Sequence, residues 1–174
     1  DILTQLSQTV IRRATLYVDM SYTAGGGFDD PLAEQREMRE LLSQETRHLI
    51  VQCLLGHPHH LASLAELAYM IQKNEGAILD QLETLREAGL VDVYVHEPNK
   101  STRDLPSRFW GPTERGVEVL YEHNFLRGVP AARAVYEETN KSEKVRRHET
   151  APRPSLPDAV QEALQFEEPA PEEL

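Results

Sequence analysis

The chain has 174 residues and a formal net charge of −11, with 29 acidic residues against 18 basic ones. This length is enough for one well-packed domain with extensions. Its single cysteine, Cys53, excludes a disulfide within the chain, and no apolar run approaches the roughly 18 residues of a membrane span. The first residues lack the charged-then-apolar order of a secretory signal, so we expect a soluble cytoplasmic protein with no membrane partner.

Lysine is scarce, since only four of the 18 basic residues are lysines. In molar salt, carboxylates hold hydrated cations, whereas the long lysine side chains add apolar surface that salting-out makes prone to association. The composition therefore indicates a protein from a halophilic cytoplasm. An acidic protein from an ordinary cytoplasm is the alternative. Most of the net negative charge lies near the two ends, because residues 45–150 carry only −3 of the total charge. The middle of the chain is therefore compatible with a polyanionic partner.

Residues 1–30 are predicted to form an N-terminal segment that ends in a glycine linker. The three glycines at positions 25–27 have no preferred backbone geometry and mark the linker. The preceding segment has apolar residues three to four positions apart, which favours an amphipathic helix, although its β-branched content leaves a strand as the alternative. Those apolar residues are Leu3, Leu6, Val10, Ala14 and Val18.

Residues 31–127 are predicted to form one domain that begins with helices. An amphipathic segment covers residues 31–42, and Ser43 is expected to cap the next helix, which ends near Gly56. Ser63 then starts a short helix, and a turn at residues 72–74 leads to another. The order helix, helix, turn, helix is typical of a helix-turn-helix.

The segment at residues 74–91 is the most informative, because it has the pattern of an amphipathic helix that runs directly into a strand. Gly89 stands where a left-handed residue can end the helix. One face carries Ile78, Leu79, Leu82 and Leu85, and the other carries Gly76, Ala77, Asp80, Gln81 and Thr84. Since the second face is available to enter a DNA groove, we predict a recognition helix here.

A β-hairpin is predicted after Gly89. Residues 90–97 alternate with the period of a strand, residues 98–107 form a polar loop, and residues 108–112 return as the second strand, with Phe109 or Trp110 closing the core. Thr113 is expected to cap the helix that follows. A strand, a basic loop and a strand in this order form a wing.

Residues 128–150 are predicted to form a C-terminal helix that mediates dimerisation. Gly128 breaks the preceding helix, and Pro130 suits the first turn of another that runs to about Arg147. Its apolar half is expected to pack against the domain or a second subunit. Residues 151–174 form an acidic, proline-rich tail that is expected to be mostly disordered, with a short helix at residues 157–164.

The motifs LREAGLV at residues 85–91 and RFWGPTERG at residues 108–116 resemble winged-helix transcriptional regulators of the arsenic-repressor-like class, especially their haloarchaeal members. The resemblance covers about residues 43–126. It implies a mainly α-helical fold with a small β-hairpin, namely a winged helix-turn-helix with flanking N- and C-terminal helices. It also implies a homodimer that binds operator DNA through two recognition helices and two wings. The cysteine pair of the metal-sensing members is missing, so metal sensing is not implied.

Residues near the start of the recognition helix are predicted to contact double-stranded DNA. Backbone N–H groups there favour a phosphate, Gln81 is spaced to reach adenine N6 and N7, and Thr84 can touch a thymine methyl or a phosphate. Glu75 and Asp80 share this face and would repel phosphates, although a carboxylate can accept from cytosine N4. The predicted contacts are Lys73, Asn74, Gly76, Ala77, Gln81 and Thr84.

The wing adds Lys100, Arg103 and Arg108 to the predicted DNA contacts, because an arginine in such a loop senses the width of a minor groove. Solvated loop charges are the alternative. A second basic set falls on the C-terminal helix, where it alternates with acidic residues and is interpreted as a mixed, solvated surface. This set comprises Arg127, Arg133, Lys141, Lys144, Arg146 and Arg147.

No metal, cofactor or catalytic site is predicted. His57, His59 and His60 cluster near Cys53, but a structural zinc needs four convergent ligands and the cysteine is expected to point into the core. Because no phosphate-binding glycine loop or local nucleophile motif occurs, we expect no enzyme. No small-molecule effector is indicated.

The sequence therefore predicts a sequence-specific transcriptional regulator that binds double-stranded DNA as a winged-helix homodimer. The alternative is a winged-helix protein-interaction module, whose acidic recognition face docks a protein and binds no DNA. Glu75 and Asp80 favour the alternative, and the wing arginines oppose it.

Overall fold

A computed structural model describes residues 31–123, 133–134, 136–137 and 140–165. The chain divides into two units, Asp1–Met38 and Arg39–Leu174. The N-terminal segment, the glycine linker and the expected helix start at Pro130 lie outside the described residues. The division of the chain at residues 30, 127 and 150 stays a prediction.

Helices dominate the described part of the chain, and one β-hairpin interrupts them. We number the elements in chain order. They are α1 (Pro31–Ser43), α2 (Glu45–Gly56), α3 (Leu64–Ile71), α4 (Glu75–Glu87), β1 (Val91–Val95), a 3₁₀ turn (Glu97–Ser101), β2 (Arg108–Pro112), α5 (Glu114–Glu122), α6 (Glu143–Thr150) and α7 (Asp158–Ala163).

The boundary between α1 and α2 differs from the sequence expectation. Gln44, rather than Ser43, caps α2, because its side chain accepts a hydrogen bond from the N–H of Arg47 at 2.7 Å. The Ser43 hydroxyl instead donates to the carbonyl of Glu40 at 2.8 Å. As the last residue of α1, Ser43 bonds back into the helix that it ends, and the prediction that it caps α2 was wrong.

Helices α3 and α4 form the helix-turn-helix. Ser63 and Glu66 make a capping box at the start of α3, in which each side chain bonds the backbone N–H of the other residue. Gln72 ends α3 in the left-handed conformation, with φ at 63°. Asn74 follows in extended conformation and caps α4, so the three residues 72–74 are enough to join the two helices.

The hairpin is antiparallel, with Val93 paired to Trp110. Gly89 precedes it with φ at 78°, which confirms the predicted left-handed glycine. A third piece of chain joins the sheet, because the backbones of Ala62 and Trp110 exchange two hydrogen bonds. Phe109 and Trp110 are both buried, so each of them closes the core under the wing.

The core gathers the inner faces of the elements from the end of α1 to α5. Leucine and isoleucine dominate it, and these side chains lie at the helical spacing seen in the sequence. The largest fully buried side chains are Phe109, Leu42, Ile50, Leu54, Leu55, Leu61, Leu67, Ile78, Leu82, Leu85, Leu90 and Leu120. Helix α4 is therefore held against the core by its inner stripe of Ile78, Leu82 and Leu85.

The C-terminal helix is not continuous from Pro130 to Arg147, as the sequence had suggested. Residues 140–142 are not helical, and the Ser142 side chain caps a new helix, α6, by accepting from the N–H of Val145 at 3.3 Å. A serine at this position competes for backbone donors and favours a helix start over a helix interior.

The expected disorder after residue 150 is also wrong for residues 151–165. Ala151, Leu156 and Val160 are buried against Leu61, Phe109 and Val117, and α7 matches the short helix predicted at residues 157–164. The expectation rested on the composition of the whole tail, but four of its six acidic residues fall at positions 167–173. The part nearer the domain keeps enough apolar side chains to dock.

A helix-turn-helix followed by a two-stranded hairpin is the arrangement of a winged helix-turn-helix. The predicted fold class, mainly helical with a small β-hairpin, is confirmed.

Candidate nucleic-acid interface

The start of α4 is open to solvent. Lys73, Asn74 and Gly76 are exposed and Ala77 is half-buried. The Asn74 side chain accepts a hydrogen bond from the N–H of Ala77 at 2.8 Å, so its carbonyl oxygen is engaged in capping and its amide N–H₂ remains available to an acceptor. This end of the helix carries the positive end of the helix dipole.

Gln81 and Thr84 lie one and two turns further along the same helix, and both are half-buried. The Thr84 hydroxyl donates to the carbonyl of Asp80 at 3.1 Å, which leaves its oxygen as an acceptor. Ile78, Leu82 and Leu85 alternate with these residues and are fully buried. The outer face is therefore separated from the core, as the pattern of residues 74–84 predicts.

The two acidic residues of this face have different surroundings. The Glu75 carboxylate lies 2.9 Å from the Lys144 ammonium group of α6. Asp80 is exposed. One of the two charges that would repel a phosphate is therefore compensated by a residue 69 positions away.

The wing loop carries two of the predicted basic contacts. Arg103 is exposed, and Lys100 makes an ion pair with Glu97 at 2.9 Å on an exposed surface, where such a pair contributes little to stability. Beside Arg103, the Asp104 carboxylate lies 3.6 Å from Arg147 of α6. Asn99 ties the loop to the segment after α6, since its buried amide donates to the carbonyls of Pro106 and Pro152 at 2.8 Å each.

Arg108 stands at the base of the wing. It is exposed, and its guanidinium carbon lies 5.8 Å from the centre of the Trp110 ring. A cation over an aromatic face is held in place without losing its charge. Arg108 is thus placed on β2, outside the loop that carries Lys100 and Arg103.

Helix α6 connects the two parts of this surface. Lys144 and Arg147 are three residues apart and therefore lie on neighbouring parts of one helix face. Lys144 is bonded to Glu75 at the start of α4, and Arg147 is paired with Asp104 in the wing loop. The start of α4 and the wing loop thus flank the same face of α6.

A buried ion pair fixes the segment after α6 to α3. The Arg153 guanidinium donates to both carboxylate oxygens of Glu66, at 2.7 and 2.9 Å, and to the carbonyl of Leu61 at 2.6 Å. The side chains of Arg153 and Glu66 are only 7% and 1% exposed. Burial alone would raise the pKa of Glu66, but the hydrogen bonds from His57 and Arg153 outweigh it and lower this pKa to about 2.

His57 completes this buried network as a neutral ring. Its Nδ1 accepts from the N–H of His59 at 3.1 Å, so the proton is on Nε2, which donates to Glu66 at 3.0 Å. Burial lowers the pKa of His57 more than the Glu66 carboxylate raises it. The GHPHH motif at residues 56–60 therefore serves packing and hydrogen bonding around α3.

Sequence reasoning placed the exposed residues of α4 and the wing, but it missed Glu66, Arg153 and the position of α6. Glu66 carries a local signal, because serine followed three residues later by glutamate marks a capping box. Arg153 carries none, since nothing in a proline-rich tail indicates a partner 87 residues earlier.

The described residues contain no group of three or more His, Cys, Asp or Glu side chains that would hold a metal ion. Cys53 is buried, and burial raises its pKa to about 12, so its thiol keeps its proton. In the same part of the chain, no helix is long and apolar enough to span a membrane.

Comparison with known proteins identifies the fold. The chain matches, with a TM-score of 0.67 and 22% sequence identity, the structure of a protein with a GntR superfamily winged-helix-turn-helix domain from Halomicrobium mukohataei. The match covers 80% of this chain and 98% of that one. No protein-family model and no curated protein matches. The likeness shows a winged helix-turn-helix fold, whereas the arsenic-repressor-like class inferred from residues 85–91 and 108–116 stays a prediction.

Proposed function

We propose that this protein is a transcriptional regulator that binds specific sequences in double-stranded DNA through α4 and the wing. The observation that carries the proposal is the outward face of α4, which starts with the exposed residues Asn74 and Gly76 and continues through Gln81 and Thr84, while the opposite face is buried. A helix of this kind enters a major groove with its first residues at the base edges.

The charges of the wing support the same function. Lys100, Arg103 and Arg108 are exposed, and none of them is buried in an internal network. Basic side chains of this kind position a protein on the phosphate backbone and in the minor groove. The pairing of Glu75 with Lys144 removes part of the repulsion that the acidic face would cause.

A homodimer and a cytoplasmic location are parts of this proposal. The described part of the predicted dimerisation helix buries Val145 within its own subunit. The exposed aromatic ring of Tyr121 on α5 is an apolar surface that a partner subunit can cover. Two copies would place two recognition helices on two half-sites about one helical turn apart.

The decisive experiment begins with the DNA itself. Duplexes recovered by sequencing the DNA that is crosslinked to the protein in cells supply a labelled probe for fluorescence anisotropy. Replacing Gln81 by Ala should weaken binding to this probe by about 5- to 150-fold, the value of one bidentate base contact, and should weaken binding to a mixed-sequence duplex much less. Replacing Arg103 by Ala should weaken both.

Two matched variants control these changes, since Gln35 and Arg115 are exposed residues of the same types outside α4 and the wing. Alanine at either position should leave binding unchanged. If Gln81→Ala and Arg103→Ala also leave it unchanged, the assignment of α4 and the wing to DNA is wrong.

One observation favours the rival function, a protein-interaction module. Helix α4 carries four acidic residues and one basic residue, an unusual balance for a DNA-reading helix. If the protein binds no duplex at any salt concentration, this rival replaces the DNA proposal.

A further inference from the structure

Helix α6 packs along the helix that precedes α4 in the helix-turn-helix. In a helix-turn-helix, the helix before the recognition helix crosses the DNA backbone. Here α6 runs along that helix, α3. The Tyr69 hydroxyl donates to the carbonyl of Asn140 at 3.2 Å, and Ser63 Oγ and His148 Nδ1 are hydrogen-bonded at 2.8 Å. Both ends of α3 are therefore in contact with the α6 segment.

The orientation of α6 places its apolar and basic residues on different sides. Val145 is buried, whereas the side chains of Lys144 and Arg147 are 61% and 47% exposed. Lys144 touches the start of α4 and Arg147 touches the wing loop. The exposed basic side thus lies between the two elements that the proposed function assigns to adjacent grooves.

The ion pairs of these two residues are of a kind that a phosphate can replace. Glu75 and Asp104 are also well exposed, and such surface pairs contribute only about 0–1 kcal/mol. A phosphate accepts a charge-assisted hydrogen bond as a carboxylate does, and each phosphate contact also releases condensed counterions.

We infer that α6 is a third DNA-contacting element, in which Lys144 and Arg147 hold the phosphate backbone between the groove filled by α4 and the groove met by the wing. The inference rests on the proposed function and adds a site to it. It also changes the interpretation of the basic set on the C-terminal helix, because two of its members adjoin the candidate interface instead of a remote, solvated surface.

The test must separate a phosphate contact from simple neutralisation of Glu75 and Asp104. The reference is therefore the double variant Glu75→Gln/Asp104→Asn, in which no carboxylate is left to neutralise. Adding Lys144→Gln and Arg147→Gln to this background isolates the contribution of the two cations. Binding to a fluorescein-labelled, mixed-sequence duplex of about three helical turns is measured by anisotropy over a range of KCl concentrations.

The added changes should weaken binding about tenfold at low KCl and make the slope of log K against log salt less steep by about two, one for each lost phosphate contact. Adding Arg115→Gln to the same background is the control and should change neither quantity, because Arg115 follows β2 at the end of the hairpin opposite the wing loop. Circular dichroism confirms that each variant is folded.

Three results overturn the inference. Equal binding with and without the two cations means that they only neutralise acidic neighbours. Tighter binding without them means that α6 covers the interface. If the wild-type protein binds no duplex at all, the proposed function fails and the inference fails with it. If the wild-type protein binds but either of the first two results is obtained, only the inference fails.

Discussion

Among the interactions of single side chains, the buried ion pair of Arg153 and Glu66 is expected to affect stability most. Both charges are buried, and each satisfies the other through two hydrogen bonds. In the interior, removal of one partner leaves a charge that has neither water nor a counterion.

We expect Arg153→Met to lower the free energy of unfolding by about 3–5 kcal/mol, because Glu66 then remains buried without its main partner. Urea denaturation followed by circular dichroism measures this change. Lys100→Met is the matched control, since Lys100 pairs with Glu97 on an exposed surface, and it should cost less than about 1 kcal/mol. Equal costs for the two variants would show that burial adds nothing to the Arg153 pair.

The protonation of the same network predicts how stability depends on pH. His57 has its pKa lowered in the folded protein, mainly by burial, so the unfolded chain binds a proton more readily. Stability from His57 is therefore present above the ordinary pKa of 6.5 and is lost as the pH falls below it. Glu66 adds a second loss in the same direction, as the pH falls from the ordinary 4.5 towards about 2.

Urea denaturation between pH 7.5 and about pH 5 tests the first of these losses. His57→Gln keeps a donor to Glu66 but cannot be protonated, so its unfolding free energy should fall less over this range than that of the wild type. His48→Gln, on the exposed side of α2, is the control and should retain the wild-type pH dependence. If the unfolding free energy of His57→Gln still falls steeply with pH, the pH dependence belongs to other groups, such as His60 and His148, whose pKa values burial also lowers.

At the scale of elements, the sequence TERG at residues 113–116 explains how α5 is joined to the hairpin. The Thr113 side chain accepts from the N–H of Gly116 at 2.9 Å and donates to the carbonyl of Gly89. Gly116 allows the first turn of α5 to approach Leu90 closely. A Cβ at this position would lie 1.9 Å from the Leu90 carbonyl oxygen. The motif thus fixes a helix start and a close backbone contact together.

Gly116→Ala should therefore destabilise the protein by about 3 kcal/mol or more, because the overlapping atoms belong to backbone and cannot turn aside. Gly76→Ala is the matched control in a helix start, where a Cβ would meet only Asn74 Oδ1 at 3.4 Å. It should be neutral or stabilise by up to about 1 kcal/mol. Thermal melts of the two variants measure the difference, and similar melting temperatures would contradict the proposed close approach.

Secondary structure was predictable where short-range rules decide it. Ser63 starts α3, Thr113 caps α5 and Gly89 ends α4, as expected. The errors fell where two local signals compete, as at Ser43 and Gln44, or where a cap interrupts a helical pattern, as at Ser142. Such competition is settled by which backbone donor each side chain actually reaches.

For the whole molecule, the net charge of −11 is the property with a measurable consequence. Excess charge of one sign destabilises a compact state through self-repulsion, and salt at 1 M shortens the screening distance to about 3 Å. We expect the melting temperature to rise steadily as KCl increases from low to molar concentration. Charge reversal at exposed acidic residues of the surface, such as Glu118→Lys, should reduce this rise. A melting temperature independent of KCl would show that repulsion is not significant.

The sequence by itself determined the helix-turn-helix, the hairpin and the outward face of α4, because periodicity and capping depend on residues within a few positions of each other. The same short-range rules placed the residues from Lys73 to Thr84 that face away from the core and the exposed basic residues of the wing.

Only the tertiary structure decided that α6 lies along α3, that Lys144 reaches Glu75, and that Arg153 is buried against Glu66. These partners are 69 and 87 residues apart, and a local pattern contains no information about which distant charge will be nearby once the chain has folded. For Arg153 and Glu66 the physical reason is burial, because a charge that is removed from water must find a counterion in three dimensions, wherever in the sequence that counterion stands. Lys144 and Glu75 meet on the surface because α6 packs along α3.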